Sequence, residues 1–225
     1  MYRRISILLP SLRESMLKEA IKEIRNAEPY LDYEIIVVSP FKVKGFRVVW
    51  VEDFVARGPV YASNLAFNNS SGDFIVTWAD DLLPSRYCIS TTLEFLLGYK
   101  GLTAVAFTDQ FHSRCYIYGH LYTKFGVFPR KLLNLLGDLY NPEFTYHWAD
   151  SDLSLRIYMV GGEVLPCPSE AYVTHKVTDN PYASNLFIDS LEVATKKFLD
   201  EWHASFGGDI PKEKVLQDIT CINTT

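Results

Sequence analysis

The sequence predicts an α/β protein, a single domain whose central sheet is mostly parallel and flanked by helices, with a smaller mixed region towards the C-terminus. Three observations lead there. Near-continuous apolar runs recur through the first third of the chain, each closed by a proline or polar residues, as strands buried on both faces require. Segments of helical periodicity or helix-end chemistry lie between several of them. The length, 225 residues, suits one core, since cores grow to roughly 250 residues before a chain divides.

Ile5 to Leu9 is the first strand, stopped by Pro10. Arg13 to Ala27 follows with Leu17, Ile21 and Ile24 at helical spacing and charges between them. Strands are predicted at Tyr33 to Val38, closed by Ser39-Pro40, and at Phe46 to Val51, closed by Glu52-Asp53. Pro59 suits a first helical turn and Gly72 an exit, which predicts a helix near 60–70. Phe74 to Trp78 is the fourth strand and runs into Asp80-Asp81. Further expected elements are a helix over Tyr87 to Leu97, a strand over Leu102 to Phe107, and an alternating strand or hairpin region from Cys115 to Val127. A short helix is expected over Pro129 to Leu136. A helix from about Asp150 to Val160 carries Leu153, Ile157 and Val160 on one face and stops at Gly161-Gly162. A C-terminal helix is expected over 185–206, followed by a polar, loose tail.

In parallel sheets ligands bind beyond the carboxyl ends of the strands. Pro10-Ser11, Ser39-Pro40, Glu52-Asp53 and Asp80-Asp81 all fall on that edge.

Composition narrows the function classes. Apolar residues make up 48% and charged residues 22% of the chain, the balance of a globular protein. With 22 basic and 27 acidic side chains the net charge is -5, so no global positive field attracts nucleic acid. An anionic substrate must then be held by local groups or a metal. No apolar stretch approaches the roughly 20 residues of a membrane span, and the N-terminal apolar run is too short for a signal peptide. Peripheral membrane contact stays open. The four cysteines, Cys88, Cys115, Cys167 and Cys221, show neither zinc-site spacing nor a dense disulfide framework. A reduced, cytoplasmic chain is the simplest expectation.

Five segments, ISILLPSLRE, YEIIVVSP, GPVYASNLAFNNSSGDFIVTWADD, HWADSDLSLRIYMVGG and AYVTHK, resemble in order and spacing the GT-A (Rossmann-like) glycosyltransferases of family 2. The resemblance covers roughly residues 4–176. It implies an inverting enzyme that moves a hexosyl or deoxyhexosyl group from a nucleotide diphosphate-sugar to an acceptor, with Mn²⁺ or Mg²⁺. UDP-sugar is the favoured donor. The implied acceptor is a glycan or a lipid- or protein-linked sugar, as in polysaccharide biosynthesis. It divides the domain into a nucleotide-sugar-binding half, 1–107, an acceptor-binding and catalytic half, 108–206, and a tail, 207–225.

Residue by residue, FIVTWADD is similar to the family's D-x-D strand end, with Ala79 in place of the first acid. The resemblance puts the metal on Asp81 and a donor contact on Asp80. One or two protein carboxylates suffice for a hard cation that also binds phosphates. Ala149-Asp150-Ser151-Asp152-Leu153 is similar to the E-D-x-D-L segment, which makes Asp150 the general base and leaves Ala149 where a Glu is usual. An inverting transfer needs one such carboxylate to take the acceptor proton. His175 matches a C-terminal histidine that completes the metal site. Pro10, Ser11 and Asn64 match nucleotide contacts, and Ser39 stands where the family has a base-binding Asp, which leaves bases other than uracil open. Trp148 is expected to stack on a sugar face.

Each residue also has a plainer reading. Asp80-Asp81 serves as turn punctuation, Asp150 and Asp152 as helix N-terminal acids, and His175 and Trp148 as packed side chains. Three other functions compete: a non-catalytic nucleotide-sugar-binding module, one domain of a larger glycosyltransferase, and a sugar-nucleotide pyrophosphorylase. PSLRES lacks the glycine-rich phosphate loop that the last would need.

Overall fold

A computed structural model describes residues 4–176, 188–215 and 221–222. In chain order the first half contains β1 (Ile5–Pro10), α1 (Glu14–Ala27), β2 (Tyr33–Ser39), β3 (Val48–Glu52), α2 (Pro59–Asn68) and β4 (Phe74–Thr77). Then come β5 (Leu82–Pro84), α3 (Cys88–Leu97), β6 (Thr103–Ala106), β7 (Thr108–Asp109), β8 (Arg114–Ile117), β9 (His120–Leu121) and β10 (Gly126–Pro129). The C-terminal part holds α4 (Arg130–Leu136), α5 (Ala149–Met159), β11 (Glu163–Pro166), β12 (Tyr172–His175), α6 (Leu191–Trp202), a π-helical turn (His203–Gly207), α7 (Lys212–Val215) and β13 (Cys221–Ile222).

Seven strands form the central sheet in the order β11-β6-β10-β4-β1-β2-β3. All neighbouring pairs are parallel except those made by β10, which runs antiparallel between β4 and β6. Alternation along each strand divides two cores. Ile5, Ile7, Leu9, Ile35, Val37 and Val76 face α1 and α3, while Leu8, Ile36, Val38 and Ile75 face α2, α5 and α6. Helices therefore cover both faces, which is why these strands are apolar along most of their length, with buried polar residues such as Ser6, Glu34 and Thr77 near their ends or partnered by hydrogen bonds.

The chain leaves β1 outward to β2 and β3, then returns through α2 to β4 on the other side of β1. The strand order thus reverses between β1 and β4, and a crevice opens beyond their carboxyl ends. At the opposite end of the sheet the backbones are pressed together. A Cβ on Gly72 would stand 2.6 Å from the Ser6 nitrogen, so only glycine admits this approach.

Several expectations are corrected. The third strand starts at Val48 rather than Phe46, because Arg47 takes a left-handed turn at φ 60°. The C-terminal helix begins at Leu191, where Ser190 accepts a hydrogen bond from the Val193 N–H, and ends at Trp202; 185–187 lie outside the described residues. The loose tail instead carries α7, with Val215 buried, and β13, paired antiparallel with β8. The reduced chain is corrected too. Cys115 is disulfide-bonded, and Cys221 lies opposite it in the strand register.

Candidate active site

β4 ends at Thr77, and the Leu82 N–H bonds the Ala79 carbonyl at 3.2 Å. This tight turn holds Asp80 and Asp81 at its two corners, where Asp is favoured. β5 leaves the turn and pairs antiparallel with β12, which brings His175 opposite Leu82. The Lys176 N–H also donates to the Asp81 carbonyl at 2.8 Å. These local constraints place His175 Nε2 3.2 Å from Asp81 Oδ1.

Across the crevice stands the N-terminus of α5. Trp148 precedes it in a left-handed conformation, φ 70°. A bulky residue there carries strain of about 1–3 kcal/mol, held by surrounding contacts. Those contacts are visible: Trp148 Nε1 donates to Thr195 Oγ1 at 2.9 Å, and its ring stacks on Phe198 at a centroid distance of 4.8 Å. The sharp turn aims Asp150 into the crevice. Burial pushes the Asp150 carboxyl above its ordinary range, against the lowering influence of the Ser151 N–H, Lys124 and His147. A carboxylate raised in this way is a better proton acceptor.

Between these walls lies a cleft of about 590 Å³, a volume that suits a small-molecule ligand. Pro10, Asp80, Asp81, Trp148, Asp150 and His175 all line it, so the structure brings six of the nine sequence-predicted residues together. Ser11 stands behind them, its hydroxyl donating to Asp80. Ser39 lies outside the cleft, beside a small void of about 10 Å³; its hydroxyl bonds the Phe41 carbonyl at 2.6 Å and accepts from Trp50 Nε1. Asn64 is also directed elsewhere. Its amide clasps the backbone of Tyr140, donating at 2.7 Å and accepting at 2.8 Å, so it positions the loop that forms one cleft wall.

Asp152 points away from the cleft and is fully buried. It accepts from Arg156 Nε at 2.8 Å and from Trp202 Nε1 at 3.1 Å, which pins α5 to α6.

Arg13, Lys124 and Lys176 escaped the sequence reading, yet all three line the cleft. Arg13 Nη2 contacts Asp80 Oδ1 and reaches Asp81 Oδ2 at 2.9 Å, and its Nε reaches Asp80 Oδ2 at 3.1 Å. The available signal was a basic residue just after a strand on the ligand edge. Asp81 is held at about 2: burial would raise its carboxyl, but His175 and Arg13 outweigh it.

A divalent cation would find a carboxylate and an imidazole together at Asp81 and His175. Among the described residues no group of three His, Cys, Asp or Glu side chains could hold a metal ion. The pair therefore fits an ion that takes its remaining ligands from phosphate oxygens and water. No helix among the described residues is long and apolar enough to cross a membrane.

No protein-family model and no curated protein matches the sequence. Solved structures do share the fold. The mannosyltransferase PcManGT from Pyrobaculum calidifontis, in complex with GDP-Man and Mn²⁺, aligns with a TM-score of 0.64 at 18% identity, over 81% of this chain and 59% of its own. S. aureus TarS 1-349 with UDP-GlcNAc aligns with a TM-score of 0.67 at 11% identity, over 96% and 70%. A Drosophila β1,4-galactosyltransferase 7 with manganese, UDP-Gal and xylobiose aligns with a TM-score of 0.54 at 14% identity, over 83% and 81%. The chain thus spans less than two thirds of the mannosyltransferase. At these identities the similarity is one of fold: a mixed α/β domain with a mostly parallel sheet flanked by helices, as in these glycosyltransferases.

Proposed function

We propose that the cleft binds a nucleotide diphosphate-sugar and transfers its sugar, with inversion, to a hydroxyl of a glycan or a lipid- or protein-linked sugar. The observation that carries this reading is the meeting of two carboxylate sites across one cleft at the sheet's switch point. Asp80-Asp81 lies on one side and the elevated carboxyl of Asp150 on the other.

Asp150 takes the proton of the acceptor hydroxyl as that oxygen bonds to the anomeric carbon. The bond from this carbon to the diphosphate oxygen breaks on the opposite face. Asp81 and His175 would hold Mn²⁺ or Mg²⁺, which supplies charge stabilisation to the departing diphosphate. Lys124 and Lys176 add positive charge at the same cleft. Asp80 and the cleft-facing part of Trp148 contact the donor sugar. In this reading residues 1–107 serve mainly the donor and 108–206 the acceptor, while Pro10 and Ser11 shape the nucleotide end and Ser39 and Asn64 act only indirectly, Asn64 by holding the Tyr140 backbone. The fold neighbours were solved with GDP-Man, UDP-GlcNAc and UDP-Gal, which supports a hexosyl donor on either base. The UDP-sugar remains the first to test.

Thermal denaturation with UDP or GDP, each with and without Mn²⁺, tests the donor site, because a ligand of the native state raises its midpoint. A midpoint raised by nucleotide and Mn²⁺ together, and lost in Asp81→Asn, is expected. No rise with either nucleotide would refute the proposal.

A further inference from the structure

We propose that Arg13 is the resident cation of the Asp80-Asp81 pair and releases Asp81 to a divalent metal only when a diphosphate arrives to receive its guanidinium. This rests on the donor-binding reading above.

The Arg13 fork spans both carboxylates, with contacts to Asp80 through Nη2 and Nε and to Asp81 through Nη2 at 2.9 Å. All three side chains are shielded, at 19%, 7% and 14% exposure. The carboxylate best placed for a metal, with His175 on its other oxygen, is thus already in a charge-assisted pair. A divalent ion and a guanidinium repel on one carboxylate, so a metal arriving alone must expel Arg13 towards water with nothing offered in return. A diphosphate changes that balance, because its oxygens match the planar fork of an arginine.

The local backbone suits such an exchange. Arg13 caps α1: its carbonyl accepts from the Leu17 N–H at 2.9 Å and its own N–H donates to Ser11 Oγ at 2.9 Å. The side chain can turn while the backbone stays fixed, and Asp80 keeps the Ser11 hydroxyl. Asp81 remains paired with a cation throughout, first arginine and then the metal, while Asp80 retains the Ser11 hydrogen bond beside the incoming positive charge.

Free Mn²⁺, followed by its electron paramagnetic resonance signal, is titrated with the full chain, with R13Q, with R13K and with R13Q carrying Asp81→Asn. R13Q is expected to bind Mn²⁺ alone roughly tenfold more tightly than the wild type. R13K, which keeps the charge but loses the fork, should fall between them, and the double variant should lose the gain. Adding UDP or GDP should strengthen Mn²⁺ binding more in the wild type than in R13Q, since only the wild type has a guanidinium to transfer. Equal Mn²⁺ affinity of wild type and R13Q without nucleotide overturns the proposal, as does an equal nucleotide effect in both. If R13Q gains affinity but neither nucleotide alters any variant, the hand-over fails together with the donor-binding reading. The Mn²⁺ titration then still identifies Arg13 as occupying the metal carboxylate.

Discussion

Asp150 and Asp152 sit two residues apart in the same helical turn, and their environments give them different work. Asp150 borders the cleft, and burial lifts its carboxyl, whereas Asp152 is consumed by Arg156 and Trp202. Asp150→Asn should lower transfer by roughly 10²- to 10⁴-fold while nucleotide binding persists; comparable activity in the variant would remove Asp150 from the role of base. In the proposed role of base Asp150 would work only when ionised, and burial holds its carboxyl above the ordinary Asp value of about 3.9. The rate of the wild type should therefore rise with pH through an acid limb above that value. An acid limb at the ordinary Asp value would contradict the elevated carboxyl. Asp152→Ala is a different experiment. It removes the carboxylate from a half-buried guanidinium that still donates to the Asp138 and Leu139 carbonyls, and leaves a buried indole N–H without its acceptor, and should cost about 2 kcal/mol in urea unfolding. A cost below about 1 kcal/mol would show that α5 and α6 are joined by apolar contacts alone.

At the scale of elements, the end of the sheet opposite the cleft is tied by one acid. Glu34 on β2 accepts from Ser6 Oγ on β1 at 2.7 Å, from the Ser71 N–H at 2.7 Å, from Ser71 Oγ at 2.9 Å and from Arg4 at 2.9 Å. Burial alone would raise this carboxyl; the hydrogen bonds outweigh it and hold it below the usual range. A lowered folded-state value means the stabilisation is present above the unfolded value, about 4.3, and is lost as pH falls through the folded one. Glu34→Gln should cost about 2 kcal/mol at neutral pH and flatten the loss of stability below pH 4. An unchanged acid limb in the variant would assign that loss to other groups, Asp81 first among them. The same dependence on partners separates the elements that periodicity reveals from those it does not. β1, β2, β4, α1, α3 and α5 are legible in sequence because their apolar spacing reflects a buried face. β5, β7 and β12 have little such pattern, because the small sheet they form is only partly buried.

For the whole molecule, Cys115 on β8 is disulfide-bonded, the backbone of β13 pairs with β8 at that position, and Cys88 and Cys167 are free and buried. Burial drives both of these thiols up. In native protein neither should react with an alkylating agent at neutral pH. Unfolding without reductant should release two thiols, and reduction should expose all four cysteines; four before reduction would refute the bridge. Its existence was not legible, because strand pairing across about a hundred residues sets which cysteines meet and no local spacing encodes it. The switch-point cleft was legible to a useful degree. Apolar runs fix which segments become buried parallel strands, and their polar ends fix which residues gather on one edge, so Pro10, Asp80 and Asp81 could be named from sequence. Only the tertiary structure decided the rest. It turned Asn64 to the Tyr140 backbone, set Ser39 outside the cleft, divided the tasks of Asp150 and Asp152, and laid Arg13 across the acid pair. The physical reason is that burial follows from one residue's polarity and period, whereas a hydrogen-bond partner is chosen by whichever distant group the packed sheet brings within 3 Å.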